Sequence, residues 1–346
     1  MTTVTFATAV QIMTLRSRAW HGRAKHANRP LRIDALSYLV AALIAFVSST
    51  QLVADTVLEI ILVGESDTEL APHREGNVYA PEIHQDGERL LMWYGGQGTD
   101  GHDRIHLAES VNGVEFVRRG VVLDCGTANH VNDPSIVRVA NTWWMFYTVA
   151  QSAEDDQIAA AVSSDGVNWE RKGIVVSPSG SAAWDSRKVG RPSVLYENGV
   201  FRMWYDGQPT TAASEADEVA ARVRRQGRAV GYAESTDGLR WTKREVPVMY
   251  DGAGAVHVVN IRNRYVMTGE SRQGTWWAES DDGLAWQRRG WLTQMSGEAS
   301  DRHGQVTPYL LQTLDHLTLY FGAAARASWD GNRIARMKVT LPSEGR

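Results

Sequence analysis

This 346-residue sequence predicts an all-β fold: a five-bladed β-propeller of four-stranded antiparallel blades, its last blade closed by an N-terminal strand. Three observations lead there. First, Pro81-Glu82-Ile83 precedes Met92-Trp93-Tyr94 with 11 residues from Pro to Met, and Pro134 to Met145 and Pro192 to Met203 repeat that spacing. Val256 to Met267 and Pro308 to Leu319 keep it in weaker copies. Second, a tight turn follows in four of the units, at Ser110–Phe116, Ser164–Trp169, Ser235–Trp241 and Ser280–Trp286. Each contains an Asn-Gly or Asp-Gly step, which supplies the positive φ of a hairpin. Third, 31 Gly and 13 Trp stand beside only six Phe, which fits a turn-rich protein packed by large rings.

The N-terminal side is set apart by charge. Residues 1–34 carry six Arg or Lys after Leu15 and one acid, Asp34; then Ala35 to Ala54 runs for 20 uncharged residues. A basic flank, an apolar core and small polar residues follow the order of a secretory signal, with Met13 as an alternative start. The stretch is also long enough to be a retained membrane anchor. The division expected is a leader over 1–56 and the propeller over 57–342. It implies export to a periplasmic or extracellular place, or anchoring; a packed N-terminal helix would instead leave the protein cytoplasmic.

Each unit then reads as an apolar inner strand, the Met-Trp-Tyr strand, a strand ending near Ala-Glu-Ser, and an outer strand such as Arg171–Val176. Four strands repeated radially make a propeller blade. The fifth unit has three strands, ending at Arg333–Leu341, and Val57–Val63 is the natural fourth. Sharing a blade between the two ends of the ring removes its open edges. Gly113 to Gly166 is 53 residues while Gly166 to Gly238 is 72, so about 19 residues are inserted over 209–228. Ser214-Glu215-Ala216-Asp217 looks like a helix start, and Arg222, Arg224 and Arg225 suit a helix end. A surface helix and an active-site lid are both open readings of it.

The units resemble the five-bladed propellers of the arabinanase, invertase and levansucrase superfamily of glycoside hydrolases. The Ser-x-Asp-Gly-x-x-Trp turns, Asn132-Asp133-Pro134 and the Met-Trp-Tyr strands carry the likeness, which spans about 285 residues. The resemblance implies three carboxylates converging on an axial funnel. One stands directly before the first-blade Pro as nucleophile or base, and one directly before the second-blade Pro. The third, the acid, stands two residues before the third-blade Pro. Here those positions hold Ala80, Asp133 and Gly190, the last followed by Arg191. A central calcium held mainly through water is a further implication; no motif requires a cofactor.

Inner strands begin near the axis, and alternation gives each two side-chain rows. One row is apolar throughout. The other reads Ala80/Glu82, Asp133/Ser135, Arg191/Ser193, Ala255/His257 and Thr307/Tyr309, and becomes mostly apolar two residues deeper. Polarity gathered at one end of five neighbouring strands suits a binding mouth. The same residues pairing between blades is the alternative, because buried polar groups need partners either way. Asp185 and Asp301 each lie seven residues before their Pro, and Glu75 six before Pro81. Glycoside hydrolysis needs two carboxyl groups across the scissile bond. The candidates are Asp133, Glu82 or Glu75 in the first-blade role, and Asp185 or Asp301 as proton donor; each loop acid has a turn or cap role as its alternative. Arg191 would hold Asp133 ionised or bind a substrate carboxylate. His257, Ser135, Ser193, Tyr309 and the loop ring Trp184 complete the substrate-binding candidates.

Histidines supply a rival reading. His73, His130, His257 and His303 fall near the inner-strand starts of four blades, and converging imidazoles can hold a divalent metal. A net charge of −4 argues against a nucleic-acid surface. A single cysteine, Cys125, excludes an internal disulfide and a cysteine zinc site. The expected function is a carbohydrate-active, glycoside hydrolase-like enzyme with its sugar at the axial funnel. The membrane enters only through the leader. A non-catalytic sugar-binding propeller and a metal-dependent enzyme using the funnel histidines are the alternatives.

Overall fold

A computed structural model describes residues 57–64, 75–152, 155–250, 254–314 and 316–341. The leader over 1–56, His73 and the Glu75 side chain lie outside the described residues. Five four-stranded antiparallel sheets make up the propeller. Blade one is β2(Glu75–Asp86), β3(Arg89–Gly98), β4(Asp103–Ser110) and β5(Val117–Leu123). Blade two is β6(His130–Val139), β7(Thr142–Ala150), β8(Gln157–Ser163) and β9(Glu170–Val176). Blade three is β10(Lys188–Glu197), β11(Val200–Gln208), β12(Ala229–Ser235) and β13(Thr242–Lys243). Blade four is β14(Val256–Ile261), β15(Arg264–Gly269), β16(Gly274–Ser280) and β17(Gln287–Gln294). Blade five is β18(Gln305–Gln312), β19(Leu317–Ala323), β20(Arg333–Val339) and, from the other end of the sequence, β1(Glu59–Leu62). The expected closing strand is therefore in place: Glu59 pairs with Arg336 and Leu62 with Ile334.

The repeated turns explain both the glycines and the tryptophans. In blade two, Ser163 Oγ accepts the Gly166 N–H, and Asp165 Oδ1 accepts those of Val167 and Asn168. The same bonds recur at Ser110/Asn112, Ser235/Asp237 and Ser280/Asp282. Gly166 sits at φ +75°, where a side chain is strained, and its Cα faces the Trp93 ring of the blade before. Trp93 Nε1 donates to Gly166 O at 2.9 Å, and Trp204 Nε1 to Gly283 O at 2.8 Å. One blade's tryptophan thus seats on the next blade's turn. The fully buried Trp93 and Trp204 fill the wedges between blades, with Ile136 and Met145 around the first and Val258 and Met267 around the second.

A second set of bonds locks the inner strands together. Glu82 Oε1 accepts from Ile136 N (3.0 Å), Ser135 Oγ from Val194 N (3.0 Å), and Ser193 Oγ from Val258 N (2.9 Å). His257 Nδ1 accepts from Leu310 N (3.0 Å), and Tyr309 Oη donates to Ile83 O (2.5 Å), which closes the circle. One side chain per blade, always the residue after the inner-strand Pro or its counterpart, bonds the next blade's backbone.

The insertion in blade three forms two short helices, α1(Thr211–Ala216) and α2(Glu218–Gln226). Thr210 caps α1 and Asp217 caps α2, whereas Ser214 lies inside α1. Thr210 and Asp217 each accept the N–H three residues on, so one helix starts four residues before the expected motif and the other at its last residue. Ala213, Ala220 and Val223 pack into the blade-three core with Trp184 and Tyr205.

Candidate functional site

The mouth of the ring is built by one backbone device. Ala80, Asp133, Arg191 and Thr307, each one residue before an inner-strand Pro, have φ of +50°, +49°, +49° and +46°. Strand pairing shifts register at the same four places. Such a bulge re-aims a side chain that regular pleating would turn elsewhere. It costs about 1–3 kcal/mol for a non-glycine residue, so the surrounding structure must over-determine it. The bulged N–H groups are held from neighbouring strands. Thr307 Oγ1 takes Ala80 N at 2.8 Å, Thr148 Oγ1 takes Arg191 N at 2.8 Å, and Glu270 Oε2 takes Thr307 N at 3.2 Å. Blade four has Val256 in place of Pro and no such bulge.

The four residues surround a narrow axial pocket of about 30 Å³, with Glu82, Ser193, His257 and Tyr309 also in its wall. Arg191 is its ionic hub. The guanidinium lies 3.2 Å from Glu270 Oε1, 3.4 Å from Asp206 Oδ2 and 3.9 Å from Asp133 Oδ2. Arg228 pairs with the same oxygen, Oδ2, of Asp206. Burial opposes the Arg191 charge, but Glu270, Asp206 and Asp133 outweigh it and raise its proton affinity further. Asp133 is treated differently by the same surroundings. Burial pushes its carboxyl up to about 6; Arg191 pulls the other way, and Asp206, Glu270 and Asp156 add to the rise. Its Oδ1 is buried and makes no hydrogen bond among the described residues.

A polar niche adjoins Asp133 on the side of blade one. Asn132 Nδ2 donates to Tyr79 Oη at 2.9 Å. Asp103 also faces Tyr79, and burial raises its carboxyl above the ordinary range. Asp156 stands 3.5 Å from His130 Nε2 and 3.1 Å from Lys188 Nζ. Burial works against the Asp156 charge, yet these two cations hold its carboxyl low. Burial likewise disfavours the His130 charge, and Asp156 reverses that, raising His130.

The sequence-derived candidates divide. Asp133, Arg191, Glu82, Ser193, His257 and Tyr309 line the pocket. Of these, Glu82, Ser193, His257 and Tyr309 also bond the neighbouring blade, as does the buried Ser135. Glu82 further contacts His84 Nε2 at 2.8 Å. Asp185 and Asp301 are fully buried and stand outside the pocket wall. Asp185 accepts from Tyr205 Oη and Lys243 Nζ; Asp301 accepts from Ser296 and Gln305. Trp184 is buried and stacks on Tyr205, ring centroids 6.0 Å apart. His130, His257 and His303 do not converge, and among the described residues no three His, Cys, Asp or Glu form a metal-holding group.

Sequence reasoning missed Asp206 and Glu270. A signal for both was present. The residue three after each repeated Met is Gly95, Thr148, Asp206 or Glu270, with Gly322 after Leu319. That register puts the second strands' ends beside the bulges.

No protein-family model matches the chain. Among solved structures, a family 117 glycoside hydrolase, Zg3597 of Zobellia galactanivorans, superposes with a TM-score of 0.63 at 12% identity, over 84% of this chain and 92% of that one. A BT0996 RGII complex also reaches 0.63, at 18% identity, over 83% and 95%. An exo-1,5-alpha-L-arabinanase from a bovine ruminal metagenomic library reaches 0.55 at 13% identity, over 80% and 97%. Glycoside hydrolases share this fold. By sequence, the uncharacterised protein Rv1502 of Mycobacterium tuberculosis H37Rv is 30% identical over 190 residues, covering 50% of this chain. The uncharacterised protein MT1551 of strain CDC 1551 is 28% identical over 189 residues. The chain spans 58% of the length of each of these curated relatives. No helix among the described residues of the propeller is long and apolar enough to cross a membrane.

Proposed function

We propose that this propeller is a carbohydrate-active, glycoside hydrolase-like enzyme that binds a sugar at the axial pocket, with Asp133 as its acid–base group. The supporting observation is Asp133 itself. Its carboxyl stands on a bulged residue at the mouth, has an oxygen without a partner among the described residues, and has a proton affinity raised to about 6. A carboxyl tuned to that range can hold a proton in the ground state and deliver it near neutral pH. Asp206 and Glu270 share Arg191 Nη1, which holds them within about 7 Å of each other, and they adjoin Asp133. They supply negative charge where an oxocarbenium-like sugar develops positive charge. Arg191 positions all three acids. Glu75 keeps its candidacy for the first-blade role. Glu82, Asp185 and Asp301 serve packing in this reading, since their oxygens bond neighbouring strands and loops. The shared fold raises the prior for this chemistry but cannot carry it alone. Export or anchoring through the segment before residue 57 belongs to the same reading.

A second reading, a sugar-binding propeller without turnover, rests on Ala80 and Gly190. They stand where the resemblance puts the first and third carboxylates. One experiment separates the two. The full-length protein, D133N and E270Q are screened on a panel of aryl and natural glycosides, with binding followed by calorimetry. Hydrolysis that D133N abolishes supports the enzyme. Sugar affinity that survives D133N, with no turnover by any variant, establishes the binding module instead.

A further inference from the structure

We infer that Arg228, set in place by the helical insertion of blade three, is a positioning residue for the axial site: by sharing Asp206 with Arg191 it frees Arg191 to reach Asp133, and so governs the proton on Asp133. This deepens the acid–base reading above. Its effect on turnover rests on that reading, and its effect on titration does not.

Strand register puts Arg228 at a repeated point of the ring. Gly96 pairs with Arg104, Val149 with Gln157 and Gly207 with Ala229, and each first-named residue lies four after the repeated Met. The residues just before those partners are Asp103, Asp156 and Arg228. Blades one and two thus put a carboxyl group at this point, and blade three puts a guanidinium there. Among the described residues, only blade three has helices between its second and third strands. Arg228 directly follows Gly227, which ends α2 at φ +92°. Gln208, the last residue of β11, donates from Nε2 to Gly227 O at 2.9 Å, so the two ends of the insertion are clipped together. Arg228 therefore leaves from a fixed corner.

Its target is shared. Arg228 Nη1 and Arg191 Nη1 approach one atom, Asp206 Oδ2, the second of them at 3.4 Å. A carboxylate with two guanidinium partners pulls less on either one. Arg191 also serves Glu270 at 3.2 Å and Asp133 at 3.9 Å. Three carboxyl groups thus meet two guanidinium groups, and the set is neutral with one proton aboard. Asp133 has the longest contact and a buried Oδ1 without a partner among the described residues, so it is the place for that proton. Asp156, His130 and Tyr79 also act on Asp133 through space, and His130 and Lys188 offset Asp156. Without Arg228 the set carries one more negative charge, and Asp206 competes harder for Arg191. Both changes hold the proton on Asp133 more tightly.

The test follows the side-chain carboxyl carbon NMR signals of the full-length protein, labelled at aspartate, against pH. The Asp133 signal is identified by its loss in D133N. R228Q should raise the Asp133 midpoint by about half a pH unit or more, and R228K, which keeps the charge, by much less. The same step is read in a D206N background, where no carboxylate is stranded. D206N should lower the midpoint, and R228Q/D206N should return it toward wild type. A midpoint that R228Q moves in neither background, or an equal rise in R228K, would overturn the inference. On a glycoside that the wild type cleaves, the alkaline limb of kcat/KM should move up with the midpoint in R228Q. A midpoint that rises while no glycoside is cleaved, or while the limb stays put, upholds the inference and tells against Asp133 as the acid.

Discussion

Asp133 and Arg191 occupy equivalent bulges on adjacent blades, and 3.9 Å separates Oδ2 of one from Nε of the other. The pairing is unequal. Arg191 has Glu270 and Asp206 closer, at 3.2 and 3.4 Å, so Asp133 holds the weakest share of the guanidinium. That is why burial wins at Asp133 and its proton is kept to about pH 6 despite an arginine beside it.

A trade between stability and activity follows. The native Asp133 carboxyl holds its proton more tightly than an unfolded aspartate does. Its ionisation therefore costs the folded state increasingly as pH rises from about 4 to about 6, and the cost persists above. D133N removes that cost, and Arg191 keeps its other two partners. We expect D133N to be more stable at pH 7.5, by at most about 3 kcal/mol, with no gain at pH 4. Turnover should fall about 10²- to 10⁴-fold. Urea melts at the two pH values check the first statement, and a glycoside assay the second.

Removing the hub should have the opposite effect on stability. R191M leaves the buried Asp206 and the largely buried Glu270 side chain with less counter-charge, since Arg228 reaches only Asp206. A loss of about 3 kcal/mol is expected at pH 7, and R191K should recover part of it. Equal melting curves for wild type and R191M would refute the hub.

His257 provides a pH signature of its own. Burial holds its imidazole neutral, lowering it to about 3, and Nδ1 must stay unprotonated to accept the Leu310 N–H. The unfolded chain takes up that proton near pH 6.5. Stability from this group is thus full above 6.5 and lost as pH falls toward 3. H257Q, which keeps an acceptor, should flatten the dependence of Tm on pH over that window. Asp133 acts with the opposite sign between about pH 4 and 6, so the slope of H257Q is best read in a D133N background.

The inter-blade circle can be tested one bond at a time. S135A and S193A each strand a buried backbone N–H, of Val194 and Val258 respectively. Each should cost about 1–3 kcal/mol in denaturant melts. They act at different junctions, but Ser193 directly precedes Val194, the donor to Ser135, so the double variant should depart from the simple sum. A neutral S193A would mean that the bond adds nothing to the assembly of the ring.

The fold was largely legible because its signals are local. The Pro-to-Met spacing and the Asp-Gly turns recur within each blade, and the count of strands pointed to β1 as the missing member. The inner-strand row was legible for a similar reason, since period-two alternation places Asp133 and Arg191 directly. Asp206 and Glu270 were not, because ring closure brings the ends of β11 and β15 to the axis from outside that row. Trp184 shows the converse. A loop position suggested a ligand-facing ring, but Gly207 leaves room for it to pack inward: a Cβ there would lie 2.6 Å from Trp184.

The four pre-proline bulges also bear on how such a site changes over time. Each presents one side chain to the mouth from the same notch in the backbone, whether that side chain is Ala80, Asp133, Arg191 or Thr307. The scaffold bonds to these residues run through their main-chain N–H groups at three of the four positions; those to Arg191 and Thr307 come from Thr148 and Glu270, outside the notches, and only that to Ala80 comes from another notch residue, Thr307. A single codon can then exchange a methyl, a carboxyl, a guanidinium or a hydroxyl without re-laying a strand. The mouth is a set of interchangeable sockets, and chemistry can be lost from this ring, or returned to it, while the architecture stays put.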